Sequence, residues 1–97
     1  MSKIQDGYTA LLWASRFGHE NIVEHLIDKK ADINAQADHG YTPLIFAAQY
    51  GHEKIVLKLL NHGADIEKST VDGYTALNLA TRNSHDDIIE YLTNEKT

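Results

Sequence analysis

The sequence contains no cysteine. Disulfides, thiolate nucleophiles and cysteine-type zinc sites are therefore excluded, and the absence fits a reducing compartment. Long apolar runs are also missing. The run Ala10–Ala14 is as long as any, far short of the roughly 20 residues a membrane helix needs. The N-terminal stretch has no apolar segment of the secretory-signal type. Basic residues are the minority, 9 against 14 acidic, for a net charge of −5 with histidine neutral. That balance argues against a nucleic-acid partner, because affinity for phosphates rests on clustered Lys and Arg. No membrane role is expected. The chain reads as soluble and intracellular, with the cytoplasm as the expected compartment. What is present is ordinary globular composition, 42% hydrophobic and 24% charged, so bulk disorder is not expected. With 97 residues there is room for one small core, and we read residues 1–97 as a single domain.

The chain repeats itself. Gly-Tyr-Thr begins at Gly7, Gly40 and Gly73, a period of 33 both times. Residues 7–38 match residues 40–71 at 14 of 32 positions without a gap, and residues 40–64 match 73–97 at 9 of 25. Chance gives roughly one match in fifteen. Three tandem copies of one unit follow, at about 6–38, 39–71 and 72–97, the last cut short.

Each unit has the same punctuation. Asp6-Gly7, His39-Gly40 and Asp72-Gly73 are turn dipeptides. Thr9, Thr42 and Thr75 are placed as N-caps, and Pro43 stands where a first helical residue loses nothing by lacking an N–H. A short first helix is predicted at 10–17, 43–50 and 76–83. Gly18 and Gly51 should end it in the left-handed conformation. Ser84 replaces that glycine in the third unit, so the third helix should end one residue early or be strained. A second helix is predicted at about 20–29, 53–62 and 86–95. Its apolar residues (Ile22, Val23, Leu26, Ile27 and their counterparts) follow the i, i+1, i+4, i+5 spacing of one helix face. The connections Ala31–Gly40 and Ala64–Gly73 should form extended fingers with a hairpin-like tip. A helix pair this short cannot bury its apolar face alone, and stacked copies supply the cover.

Period, punctuation and residue types together resemble the ankyrin repeat. The family's Thr-Pro-Leu-His-x-Ala signature is approached by Thr42-Pro43-Leu44-Ile45-Phe46-Ala47. Its Gly-His step stands at Gly18-His19 and Gly51-His52, and its Gly-Ala-Asp step at Gly63-Ala64-Asp65. The resemblance implies an all-α solenoid of three stacked helix-turn-helix repeats with β-hairpin-like finger loops. Two departures matter. The signature histidine is replaced by Leu12, Ile45 and Asn78, so a polar tie at the helix start is in question. Lys30 replaces the glycine equivalent to Gly63, and a left-handed lysine should strain that turn.

The resemblance also implies function: a non-catalytic module that binds a protein with its finger tips and the concave side of its first helices. Carried onto this chain, those positions are Asp6, Tyr8, His39, Tyr41, Asp72 and Tyr74 on the fingers, and Arg16, Phe17, Gln49, Tyr50, Arg82 and Asn83 on the helices. Tyr and Arg dominate interface energetics elsewhere. Tyr8, Tyr41 and Tyr74 recur at one position, so packing on the neighbouring finger is an equal reading of them. Neither catalytic residues, a metal site nor a cofactor site is expected. His19, His52 and His85 recur once per unit, but stacked helices about 8–10 Å apart cannot bring them to one ion. Bonding to loop backbone is the expected role. The adjacent acids Asp86 and Asp87 open a helix, where the dipole favours them.

Trp13, Phe46 and Leu79 share a position and are expected in the core between layers. Trp13 stands apart, because no earlier repeat covers it. Leu12 and Trp13 could make a self-association patch on an otherwise monomeric chain, or Met1 and Ile4 could fold over them. A scaffold without a dedicated partner is the alternative function: an engineered or consensus-like stack, or a fragment of a longer ankyrin array. The net negative charge favours a basic partner over an acidic one.

Overall fold

A computed structural model describes residues 9–95 as six helices in three antiparallel pairs. They are α1 (Ala10–Phe17), α2 (Glu20–Asp28), α3 (Pro43–Tyr50), α4 (Glu53–Asn61), α5 (Ala76–Arg82) and α6 (Asp86–Glu95). The first helix of each pair starts where a threonine is available as its cap. The hydroxyls of Thr9, Thr42 and Thr75 accept from the N–H groups of Leu12, Ile45 and Asn78 at 3.2, 3.1 and 3.2 Å. Gly18 and Gly51 end α1 and α3 at φ +80° and +79°, a region that carries a steric penalty for any side chain. In the third unit α5 stops one residue earlier, at Arg82, and Ser84 itself takes the left-handed position at φ +59°. Lys30 is left-handed as well, at +71°.

The inner helices stack in chain order, α1 on α3 and α3 on α5, and the outer helices α2, α4 and α6 follow the same order behind them. One apolar core runs through the stack. Leu11, Val23, Leu44, Ile55, Leu59, Ile88 and Leu92 are all at 2% exposure or less. Each such side chain contributes about 1.5–3 kcal/mol relative to exposure. A second cluster of Leu12, Ala37 and Phe46 lies under the first finger.

The fingers are tied turns rather than strands. Among the described residues the only β-type pairing is an isolated antiparallel bridge between Ser69 and Thr75. At the first tip, the Gly40 N–H donates to the Ala37 carbonyl at 2.9 Å, and the Ala37 N–H donates to that of Tyr41 at 2.8 Å. The second tip repeats both bonds, between Gly73 and Thr70 and between Thr70 and Tyr74. At the finger bases, the carboxylates of Asp32 and Asp65 accept from the N–H groups of Asn34 and Glu67 two residues on, as Asx turns do. Two bonds join finger to finger: Asp65 N–H to Asn34 Oδ1 at 2.8 Å, and Val71 N–H to the His39 carbonyl at 2.9 Å.

Candidate partner-binding face

Arg16 and Phe17 occupy the last turn of α1, and Gln49 and Tyr50 the last turn of α3. The first finger folds back over them. As a result Arg16, His39, Tyr41, Gln49 and Tyr50 converge on one open depression of about 340 Å³, together with Asp38 and Phe46. Two repeats contribute to its wall. The Arg16 guanidinium lies over the rings of Phe17 and Phe46, at 5.2 and 5.6 Å from their centroids. Such stacking holds a flexible cation in place. Phe17 and Tyr50 are about half exposed, at 48% and 46%.

The tyrosines divide. Tyr41 stacks on Phe46 at 4.7 Å and is half-buried against the Leu12 cluster, so much of its ring is scaffold. Tyr74 is more open, and Arg82 lies 5.1 Å over its ring. Arg82 and Tyr74 thus pair in the third unit, with Asp72 two residues back along the finger. Asn83 sits at the end of α5, where its amide donates to the Leu79 carbonyl at 2.9 Å. Asp6 and Tyr8 lie outside the described residues. Asp38 and Phe46 were not among the expected face residues. Asp38 precedes the tip dipeptide, which is the signal that could have found it, whereas Phe46 reads from sequence as pure core.

The recurrent histidines tie one repeat to the next. The Nε2 groups of His52 and His85 donate to the carbonyls of Arg16 and Gln49, at 2.9 and 3.1 Å, across the repeat boundary. Each bond satisfies a carbonyl left unpaired at the end of an inner helix. The two rings also fill the space beside Gly18 and Gly51, where a Cβ would come within 2.7 and 2.8 Å of them. Where the family histidine is missing, Leu12 and Ile45 are fully buried, and Asn78 builds a reciprocal cap, accepting from the Thr75 N–H at 3.0 Å. Among the described residues no cluster of His, Asp and Glu is placed to hold a metal ion, and no helix is long and apolar enough to cross a membrane.

One expectation needs correction. Leu12 cannot serve self-association, because it is 0% exposed. It lies on the side of α1 that meets the second repeat, beneath Phe46 and Ala37. Trp13, the next residue round the helix, is 47% exposed and stacks on Phe17 at 4.8 Å. Carboxylates gather elsewhere: none lies on α1, α3 or α5, and the outer helices carry many. On α6 the Tyr91 phenol is held above its ordinary range by desolvation first, then by the charges of Glu53, Asp87 and Glu90.

This architecture, helix pairs stacked in one direction with tied fingers on one edge, defines a helical repeat protein. Its family is also shown by comparison: a model of ankyrin repeats in three copies matches residues 1–70 and 37–97, and the chain belongs to the ankyrin-repeat family. Such repeats are generally non-catalytic protein-interaction modules. A search of curated proteins gave no match.

Proposed function

We propose that this chain is a non-catalytic recognition module that binds a protein partner in the angle between its fingers and its inner helices. The observation that carries the reading is the convergence of Arg16, His39, Tyr41, Gln49 and Tyr50, from two repeats, on one open depression. Its parts are held before any partner arrives. The finger tip is closed by two backbone bonds, Arg16 lies over two rings, and His52 pins the end of α1. A preformed surface loses little entropy on binding, so more of the contact energy becomes affinity. Phe17, Tyr74, Arg82, Asp72 and Asn83 extend the face to either side. Residues 1–97 act as one domain, in the intracellular setting that the absence of cysteine favours.

A pull-down tests this. The wild-type chain and an Arg16→Ala/Tyr50→Ala variant of equal helicity are presented to lysate, and specifically retained proteins are compared. Loss of a retained protein on the double variant is expected. Equal retention by both overturns the assignment of the face, and retention of nothing by either favours the scaffold without a partner.

A further inference from the structure

The aspartates of this chain are not held alike. Among the described residues, Asp28, Asp86 and Asp87 lie in helices. The carboxylates of Asp32 and Asp65 are occupied by the N–H groups of Asn34 and Glu67, and each of these aspartates is followed by isoleucine. Asp38 is followed by His39, and the second finger clamps that tip. The Val71 N–H donates to the His39 carbonyl, and Gly40 is packed against the backbone of residues 69–71. Asp72 differs on every count. It is exposed, its carboxylate accepts no hydrogen bond, and glycine follows it. Among the described residues no further finger covers this tip, and nothing lies within 4 Å of a Cβ placed on Gly73. Only the turn's own bonds close it: the Gly73 N–H to the Thr70 carbonyl at 2.8 Å, the Thr70 N–H to that of Tyr74 at 3.0 Å, and the Tyr74 N–H to Thr70 Oγ1 at 3.2 Å. An exposed tip held by a few local bonds opens at far less cost than the whole domain. Once it opens, a glycine nitrogen has no Cβ beside it to keep a neighbouring carboxyl away.

We propose that Asp72–Gly73 is a site of spontaneous main-chain rearrangement, from aspartate to isoaspartate through a succinimide. In the opened tip the Gly73 nitrogen attacks Cγ of the neutral Asp72 carboxylic acid. An N–Cγ bond forms, the Cγ–OH bond breaks, and the hydroxyl leaves with the amide proton as water. Water then adds to one of the two carbonyls of the five-membered ring. Opening at Cγ restores aspartate. Opening at the main-chain carbonyl breaks its bond to the Gly73 nitrogen, which recovers a proton, and the chain then runs through Cβ and Cγ. Water is the sole co-reactant. The product has the mass of the starting chain, a backbone longer by one carbon, or about 1.5 Å, and its free carboxylate on Cα. The extra carbon falls inside the turn that Thr70 and Tyr74 close, so Tyr74 is displaced beneath Arg82, which lies 5.1 Å over its ring. The site thus puts a slow chemical clock on one edge of the recognition face.

The test is an ageing experiment. The full chain is kept folded in warm, mildly acidic buffer for several weeks, beside a sample unfolded in guanidinium. Peptide mapping with electron-transfer fragmentation then locates isoaspartate residue by residue. The unfolded sample gives the rate of the bare Asp-Gly dipeptide, at Asp6 and Asp72 together. In the folded chain Asp72 is expected to rearrange within about tenfold of that rate, because only the tip has to open. Asp32, Asp38 and Asp65 should be slower than Asp72 by at least about tenfold. Asp72→Glu, whose ring would need six members, should stay intact at the tip with the wild-type Tm, which fixes the origin of the signal. Amide NMR signals of residues 70–74 should shift in the aged chain. An Asp72 that survives in the folded chain while the unfolded sample rearranges overturns the proposal, as does isoaspartate at Asp38 to the same extent. Unshifted signals around Tyr74 in a rearranged chain overturn the displacement of its ring.

Discussion

The histidine tie makes a quantitative prediction through two glycines. Gly51 and Gly63 have φ +79° and +91°, so alanine at either site carries a similar backbone penalty. That penalty is about 1–2 kcal/mol, partly offset by about 0.4–1 kcal/mol from the stiffer unfolded chain. Gly63→Ala should therefore cost about 0.5–1 kcal/mol, since nothing lies within 4 Å of the new Cβ. Gly51→Ala meets more than strain. Its Cβ would lie 2.8 Å from Cε1 of His85, where ordinary contact begins at 3.4 Å. The ring must retreat by that difference, which takes the 3.1 Å bond to the Gln49 carbonyl outside hydrogen-bonding range. A net loss of about 0.5–1.5 kcal/mol follows from the bond. The difference between the two variants should be about 1 kcal/mol, or about 4–8 °C in Tm for a domain of this size. Circular-dichroism melts at matched concentration measure it. In a His85→Ala background the difference should vanish, because no ring remains to be displaced. Equal Tm values for the two single variants, or a difference that survives His85→Ala, would refute the reasoning.

Other outcomes are expected on the same physical grounds. Lys30→Gly relieves a left-handed lysine at φ +71° and should raise Tm by a few degrees, against a gain of about 0.5–1 kcal/mol; no rise in a thermal melt argues against strain there. The Ser15 hydroxyl is buried without a hydrogen-bond partner, and the next repeat has Ala48 in its place. Ser15→Ala should stabilise by about 1 kcal/mol, visible as a higher urea midpoint at constant slope. Asn78→Ala removes half of the reciprocal cap on α5 and should cost about 0.5–2 kcal/mol in the same assay. Binding of a captured partner should weaken on Tyr50→Ala while Tm stays close to wild type, because that ring is 46% exposed.

The helix ends were legible because they are local. Thr9, Thr42 and Thr75 cap within three residues of themselves, and Gly18 and Gly51 turn the chain through their own left-handed φ. Ser84 was legible for the same reason. What escaped depends on which side of a helix faces forward. Leu12 and Trp13 are neighbours in sequence, but one turns toward the second repeat and the other toward the open end. A periodic pattern finds an apolar face without saying which repeat will cover it. Ile22 shows this plainly: it belongs to the same pattern as Ile55 and Ile88, yet it is 48% exposed. Tyr41 and Tyr74 share a motif and part company because Phe46 offers a ring to stack on, whereas Leu79 does not. The recurrence of the histidines points to backbone ties, but the acceptor of His52 and His85, a carbonyl of the preceding repeat, is 36 residues away in sequence.

The fingers have a consequence for how this chain can change length. Adjacent repeats are held along two separate lines, the helix stack and the row of fingers. The second line is set by Val71 bonding to His39 and by Gly40 lying close against Ser69, Thr70 and Val71, where a Cβ would meet backbone at 3.1 Å. A residue inserted at the first tip would therefore throw two repeats out of step at once. The second tip is different, since a Cβ at Gly73 meets nothing within 4 Å. New residues between Asp72 and Gly73 would lengthen the turn that Gly73 closes on the Thr70 carbonyl, without forcing a side chain against a neighbouring finger. Growth of a loop, natural or grafted, has one open address on the described fingers, and it lies beside Tyr74 and Arg82.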